Sequence, residues 1–200
     1  MEDGRTQGRP RDASIDDRVL AVTRELLVET GWDELSMRQI AVRSGVSRSS
    51  INRRWPSKSE LVFSAILGDT PDLTPFAGTD RRGWIDWVAR GSRQLFARPE
   101  VRAAVPGLLL AMAENEQMRR RLWAVFSGPA VELFSAPSAA DSAAAVDDAE
   151  RDARAVLAMA AGAALFLSTV AVEDDTDEVH QRISRLLTAA VTDQPNSSSV

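Results

Sequence analysis

The 200-residue chain contains no cysteine and no tyrosine, a single histidine (His180) and a single lysine (Lys58). Each shortage removes a class of chemistry. Without cysteine there is no disulfide framework, thiolate nucleophile or sulfur-ligated metal. One histidine cannot build a metal cluster, and His180 stands beside Gln181 and Arg182 in a charged stretch, which reads as a surface position. No glycine-rich phosphate loop is present, and the acidic pair Asp174-Asp175 reads as a solvated loop. An enzyme is therefore poorly supported: no catalytic residue, metal or cofactor is expected. No useful run of period-two alternation occurs, which predicts an all-α fold. The opening MEDGRTQGRPRD has no apolar core of the kind a secretory signal needs, and with the missing cysteines this points to a reducing cytoplasm.

What is present is a focused positive charge. The net charge is −5, which by itself argues against a nucleic-acid partner. Yet residues 35–59 hold Arg38, Arg43, Arg48, Arg53, Arg54 and Lys58 and no carboxylate. Such a segment can displace counterions from a phosphate backbone, while the acidic remainder limits unselective binding.

Apolar periodicity and capping signals divide the chain. Residues 1–13 read as a flexible basic arm. Residues 14–60 read as a small helical DNA-binding domain, 61–192 as a larger helical domain, and 193–200 as a disordered tail. Ser14 opens a helical stripe through Val19, Val22 and Leu26, and Gly31 ends it. Ser36-x-x-Gln39 and Ser57-x-x-Glu60 resemble capping boxes, and Ser47 caps a short helix between them. The spacing predicts helices at about 36–43, 47–54 and 57–68. Further helices follow, with Pro106 starting or kinking one and Gly128-Pro129 disturbing another. Residues 135–148 read as a low-complexity loop, followed by helices at about 149–172 and 176–191.

Residues 36–58 meet the demands of a helix-turn-helix. Ala41 permits close helix approach, Gly45 tolerates the positive φ of the turn, and Ile40, Val46, Ile51 and Trp55 supply a small core. With those residues inward, Arg48, Ser49, Asn52 and Arg53 face outward. Arginine suits guanine N7/O6 and asparagine suits adenine N6/N7. Arg38 is placed to reach a base edge, whereas Arg54 and Lys58 suit phosphates, Lys58 because it sits in a helical first turn. Ser47 belongs with them at the start of the reading helix. The bland alternative is a surface helix pair with ordinary solvated arginines; the turn geometry and the charge focus together favour the DNA reader.

The segment GWDELSMRQIAVRSGVSRSSINRRWPSKSELV closely resembles the DNA-binding segment of TetR-family regulators, through Gly31, Trp32, Ile40, Ala41, Gly45, Val46, Ser47, Trp55, Ser57, Lys58 and Leu61. The resemblance implies an all-helical homodimer with a three-helix DNA-binding domain and a variable effector domain, repressing from a palindromic operator until a small molecule releases it. It implies phosphate contact for Lys58, base contact for Arg38, and operator reading by Arg48, Ser49 and Arg53. Asn52 and Arg54 depart from it, standing where aromatic residues are usual, so the operator cannot be borrowed from relatives. The arm Gly8-Arg9-Pro10-Arg11 is either a minor-groove reader or a disordered tail.

In the larger domain, Ala155–Val172 is uncharged over 18 residues. A membrane span is one reading; a buried helix whose small residues meet a second copy is the favoured one. Trp84, Trp87, Phe96, Met112, Trp123 and Phe126 are core residues or walls of a pocket for an apolar or aromatic effector. A helical protein-interaction adaptor that kept the fold without sequence-specific DNA binding is the alternative function.

Overall fold

The computed structural model describes residues 13–68, 80–135 and 142–192; the side chains of Ala13, Phe126 and Thr192 fall outside that description. The basic arm, the 69–79 linker, residues 136–141 and the tail therefore lie outside the described residues. Those described form helices α1 (Ala13–Glu34), α2 (Met37–Ser44), α3 (Arg48–Arg54), α4 (Lys58–Leu67), α5 (Arg81–Ala97), α6 (Pro99–Glu114), α7 (Glu116–Leu122), α8 (Gly128–Phe134), α9 (Ala143–Thr169) and α10 (Asp177–Thr192), with no strand among them.

Local chemistry explains most boundaries. Gly31 leaves helical geometry with φ 74° and ψ −178°, so the regular part of α1 stops where a glycine allows it. Ser36 and Gln39 form a complete capping box: the Gln39 amide donates to Ser36 Oγ at 3.3 Å and the Ser36 amide to Gln39 Oε1 at 2.9 Å. At α4 only the first half of that arrangement forms, with the Glu60 amide donating to Ser57 Oγ at 3.2 Å.

Pro106 does not end α6: the helix runs on to Glu114 with Pro106 on its exposed side, where water can serve the carbonyl left without an amide donor. Gly128-Pro129 does disturb its helix. Pro129 has no N–H, and residues 123–127 widen into a π-turn in which the Gly128 amide reaches the Trp123 carbonyl. The loop expected over 135–148 is shorter than the sequence suggested. Ser142 accepts from the Ala145 amide at 3.2 Å, and the alanines after it, strong helix formers, extend α9 back to Ala143.

Two hydrophobic cores result. The first joins α1–α4 to α6, burying Val19, Leu27, Ile40, Ile51, Leu61, Val62, Ala104 and Val105. The second joins α5, α8, α9 and α10 around Trp84, Ile85, Val88, Val131, Val156 and Leu187. The first core crosses the boundary drawn at residue 60: α4 packs against both α1 and α6. Helix α9 is long and apolar enough to cross a membrane by length and composition, but its Ala153, Val156, Ala160 and Ala164 face is buried, largely against α5.

His180 departs from the sequence expectation. Its side chain is 12% exposed, with Nε2 2.6 Å from Asp175 Oδ1, and Asp175 Oδ2 lies 3.5 Å from Arg102 Nη2. After the short 3-10 turn at Val172–Asp174, Asp175 reaches Arg102 of α6 and His180 of α10, so of the acidic pair only Asp174 is exposed to solvent as expected.

Candidate nucleic-acid interface

Helices α2 and α3 meet over a turn built by Gly45, in the left-handed region at φ 67° and ψ 18°, whose amide donates to the Val42 carbonyl. Ser47 starts α3 by accepting from the Ser50 amide at 3.2 Å. Its hydroxyl also contacts the hydroxyls of Ser49 at 3.1 Å and Ser50 at 2.9 Å, so the Ser47 side chain is engaged as a helix cap. Ile51 and Trp55 are buried beneath α3. Arg48, Ser49, Asn52 and Arg53 are exposed together on its outer side, and Arg38 is exposed on α2.

The six cations of the acid-free segment separate into two groups. Arg43 forms a two-pronged ion pair with Glu29 on α1, with Nη2 2.7 Å from Oε1, and approaches Glu25 at 3.8 Å. The hydrogen bond from Arg43 holds the Glu29 carboxyl below its usual value, outweighing burial, and Glu29 in turn raises Arg43.

Arg54, expected at phosphates, is instead turned inward. Its Nε lies 2.5 Å from Asp16 Oδ1, its Nη1 donates to the Ser50 carbonyl at 3.3 Å, and its side chain is 14% exposed. The pair ties the C-terminal end of the reading helix to the start of α1, which is the physical reason for an arginine where an aromatic would otherwise pack.

Lys58 is half-withdrawn. Its Nζ donates to the Trp32 carbonyl at 2.8 Å and lies 4.6 Å from the Trp32 ring centroid. Burial lowers its affinity for the proton, and nearby Asp33 only partly offsets that. Three free-standing arginines, Arg38, Arg48 and Arg53, therefore carry the outward charge, rather than the six that composition suggested.

Residues 19–65 match the sequence profile of bacterial regulatory proteins of the tetR family. This segment of the chain is therefore a tetR-family helix-turn-helix. The HTH-type transcriptional regulator YdeS of Bacillus subtilis (strain 168) is 32% identical over 73 residues, covering 36% of this chain and 37% of YdeS. The first relatives are thus matched over only about a third of their own length. The DNA-binding transcriptional repressor TetR of Mycobacteroides abscessus is 27% identical over 134 residues, covering 66% of this chain and 67% of that one. A TetR transcriptional regulator from Rhodococcus sp. RHA1 shares the fold, with a TM-score of 0.57 over 88% of this chain and 97% of that chain at 16% identity.

The helices beyond the helix-turn-helix help to enclose a cavity. It lies where the two cores meet, with a volume of about 510 Å³, between α4, α5, α6, α7 and α9. Of the six residues expected to line an effector pocket, Trp87, Phe96 and Met112 do so. Trp84 does not: its ring is buried in the second core, its Nε1 donates to the Ala130 carbonyl at 3.0 Å, and it packs on Phe134. Trp123 is turned outward with the Arg154 guanidinium 4.5 Å from its ring centroid. The Phe126 side chain lies outside the described residues. The remaining wall includes Phe63, Ile66, Leu67, Leu108, Leu157 and Leu165. Their helical spacing is that of core positions, and no local signal marks them as a cavity lining.

Proposed function

We propose that the chain is a homodimeric, sequence-specific transcription regulator of the cytoplasm, not an enzyme, that represses nearby genes from a palindromic operator and leaves it when a small apolar or aromatic molecule occupies the cavity. The observation carrying the DNA-binding part is the outward face of α3. Arg48, Ser49, Asn52 and Arg53 are exposed on a helix whose start is capped by Ser47 and whose end is tied down by Arg54 and Asp16. Rigid presentation of arginine and asparagine is what base-edge recognition in a major groove requires. The name of the Mycobacteroides abscessus relative supports repression as the sign of the effect.

Dimerisation is supported by an apolar face at the far end of the molecule, where Met159, Phe166 and Val170 of α9 and its following turn and Leu186 of α10 are exposed. A two-fold pairing there would supply a second reading helix, as an operator read in successive major grooves about 34 Å apart requires.

Selection of binding sites from random duplexes, followed by footprinting, tests the reading. A two-fold symmetric consensus protected by the intact chain is expected; protection without any sequence preference favours the adaptor alternative. Phe166→Glu should yield a monomer by light scattering and lose the palindrome; a dimer that persists places the interface elsewhere.

A further inference from the structure

The cavity has one ionisable side chain among its described lining residues, Arg98. Each of its three guanidinium nitrogens makes a hydrogen bond, using three of its five N–H groups. Nε and Nη2 donate to Glu100 Oε1 at 2.9 and 2.7 Å, and Nη1 donates to the Ile66 carbonyl at 3.1 Å, in the last turn of α4. Burial pushes the Glu100 carboxyl up, but its own backbone amide and Arg98 outweigh that and hold it below the usual carboxylate value. The pair is therefore closed at neutral pH. The rest of the wall is mostly hydrocarbon, its other side-chain heteroatoms being those of the Trp87 indole, the Met112 thioether, the Ser92 and Ser127 hydroxyls and the amide of Gln94, which has exposure to solvent.

We propose that this closed Arg98–Glu100 pair makes the cavity selective for neutral, largely hydrocarbon ligands and excludes carboxylates of the same shape. The proposal rests on the effector reading above and adds the charge class of the ligand. A carboxylate entering the cavity gives up its water, and the one cation in the described wall is already neutralised by Glu100, so the carboxylate meets an ion pair of zero net charge with a carboxylate of its own sign 2.7 Å from the guanidinium. Drawing Arg98 away would leave Glu100 only its own backbone amide and the field of Arg24. A neutral ligand meets the apolar wall without disturbing the pair, and its hydroxyl or carbonyl has the serines and Gln94 as partners. Because Ile66 and Leu67 are in the wall, such a ligand touches the helix that begins at Lys58.

Methyl 1-naphthaleneacetate and 1-naphthaleneacetate are a matched probe pair, and calorimetric titration of the full chain near neutral pH compares them. The ester is expected to bind tighter by about tenfold or more. Equal or tighter binding of the carboxylate, or no binding of either, overturns the proposal. Glu100→Gln frees Arg98 and should raise carboxylate affinity by about tenfold while leaving the ester within about twofold. An unchanged carboxylate affinity in a variant that still binds the ester overturns the assigned role of the pair. If that variant does not fold, Arg98→Gln gives a second reading: it has no cation to offer, so a gain in carboxylate binding there also overturns it. None of these titrations contains DNA. A chain that binds the ester but no operator therefore fails as a regulator only, and one that binds DNA but neither probe fails this inference only.

Discussion

Replacing Gly107 by alanine adds one methyl group at the contact between the DNA-binding helices and α6. Gly107 is buried, and a Cβ built on it falls 1.9 Å from Trp32 Cε2 and 2.0 Å from Cδ2. Carbon atoms in packed proteins settle roughly 3.5–4.0 Å apart, so ring and helix must separate by roughly 1.6 Å or more. The indole has little freedom to yield, because the Lys58 amine lies over it and the Trp32 carbonyl holds that same amine. Overpacking of this kind costs about 1–3 kcal/mol, while alanine for glycine inside a helix returns about 0.5–1 kcal/mol. The expected net loss is about 0–2.5 kcal/mol, which lowers Tm by up to roughly 10 °C for a chain of this size. Thermal unfolding by circular dichroism reads it directly.

The contact also predicts a coupling. In a Trp32→Ala background the same glycine substitution meets no ring and should be stabilising, so a double-mutant cycle should return about 1–3 kcal/mol of interaction between the two positions. Displacing Trp32 moves the anchor of Lys58, so Gly107→Ala should also weaken DNA binding although residue 107 is far from α3 in sequence. A Gly107→Ala chain that is more stable than the parent, with operator affinity unchanged and no coupling in the cycle, would refute the wedge.

Other outcomes follow from the interface. Asp16→Asn removes the partner of a largely buried arginine and should cost about 1–3 kcal/mol in chemical denaturation, with weaker DNA binding on every sequence because α3 loses its tie to α1. A loss confined to one operator sequence would reassign Arg54 to base reading. Arg53→Ala should relax operator preference and cost about 1–3 kcal/mol on the preferred site alone in a binding titration. A uniform loss with a shallower salt slope would move Arg53 to phosphate contact. Glu29 and Glu100 both have carboxyls held below their ordinary value. Their stabilisation is complete above the unfolded carboxylate value and fades as pH falls through the lower folded values. The acid limb of a stability–pH curve should therefore flatten in Glu100→Gln; an unaltered limb would remove Glu100 from that account.

The interval from Gly31 to Leu61 was legible in the sequence because its determinants are local. A serine three residues before an amide, a glycine at the turn, and apolar residues at helical spacing act within one or two turns of the chain, and the structure places the helices within a residue or two of where those signals put them. Ala143–Ala145 was misread as loop for the same reason in reverse: low complexity hid a run of strong helix formers behind the Ser142 cap. The exposed face of α3 also followed from periodicity alone.

Tertiary structure decided which charges are available and which aromatic residues line a space. Composition counted six cations between residues 35 and 59. Only packing against α1 and the turn after Gly31 shows that Arg43, Arg54 and Lys58 have partners at Glu29, Asp16 and the Trp32 carbonyl. Trp84 and Trp87 are three residues apart on one helix, yet one is sealed in a core and the other faces the cavity, because α8 covers the first and not the second. Partners from 14 to 46 residues away leave no mark on a local pattern. The sequence by itself determined the helix-turn-helix, since that is written in neighbouring residues; which of its cations have ion-pair or carbonyl partners, and which aromatic residues wall the cavity, was decided only where distant helices meet.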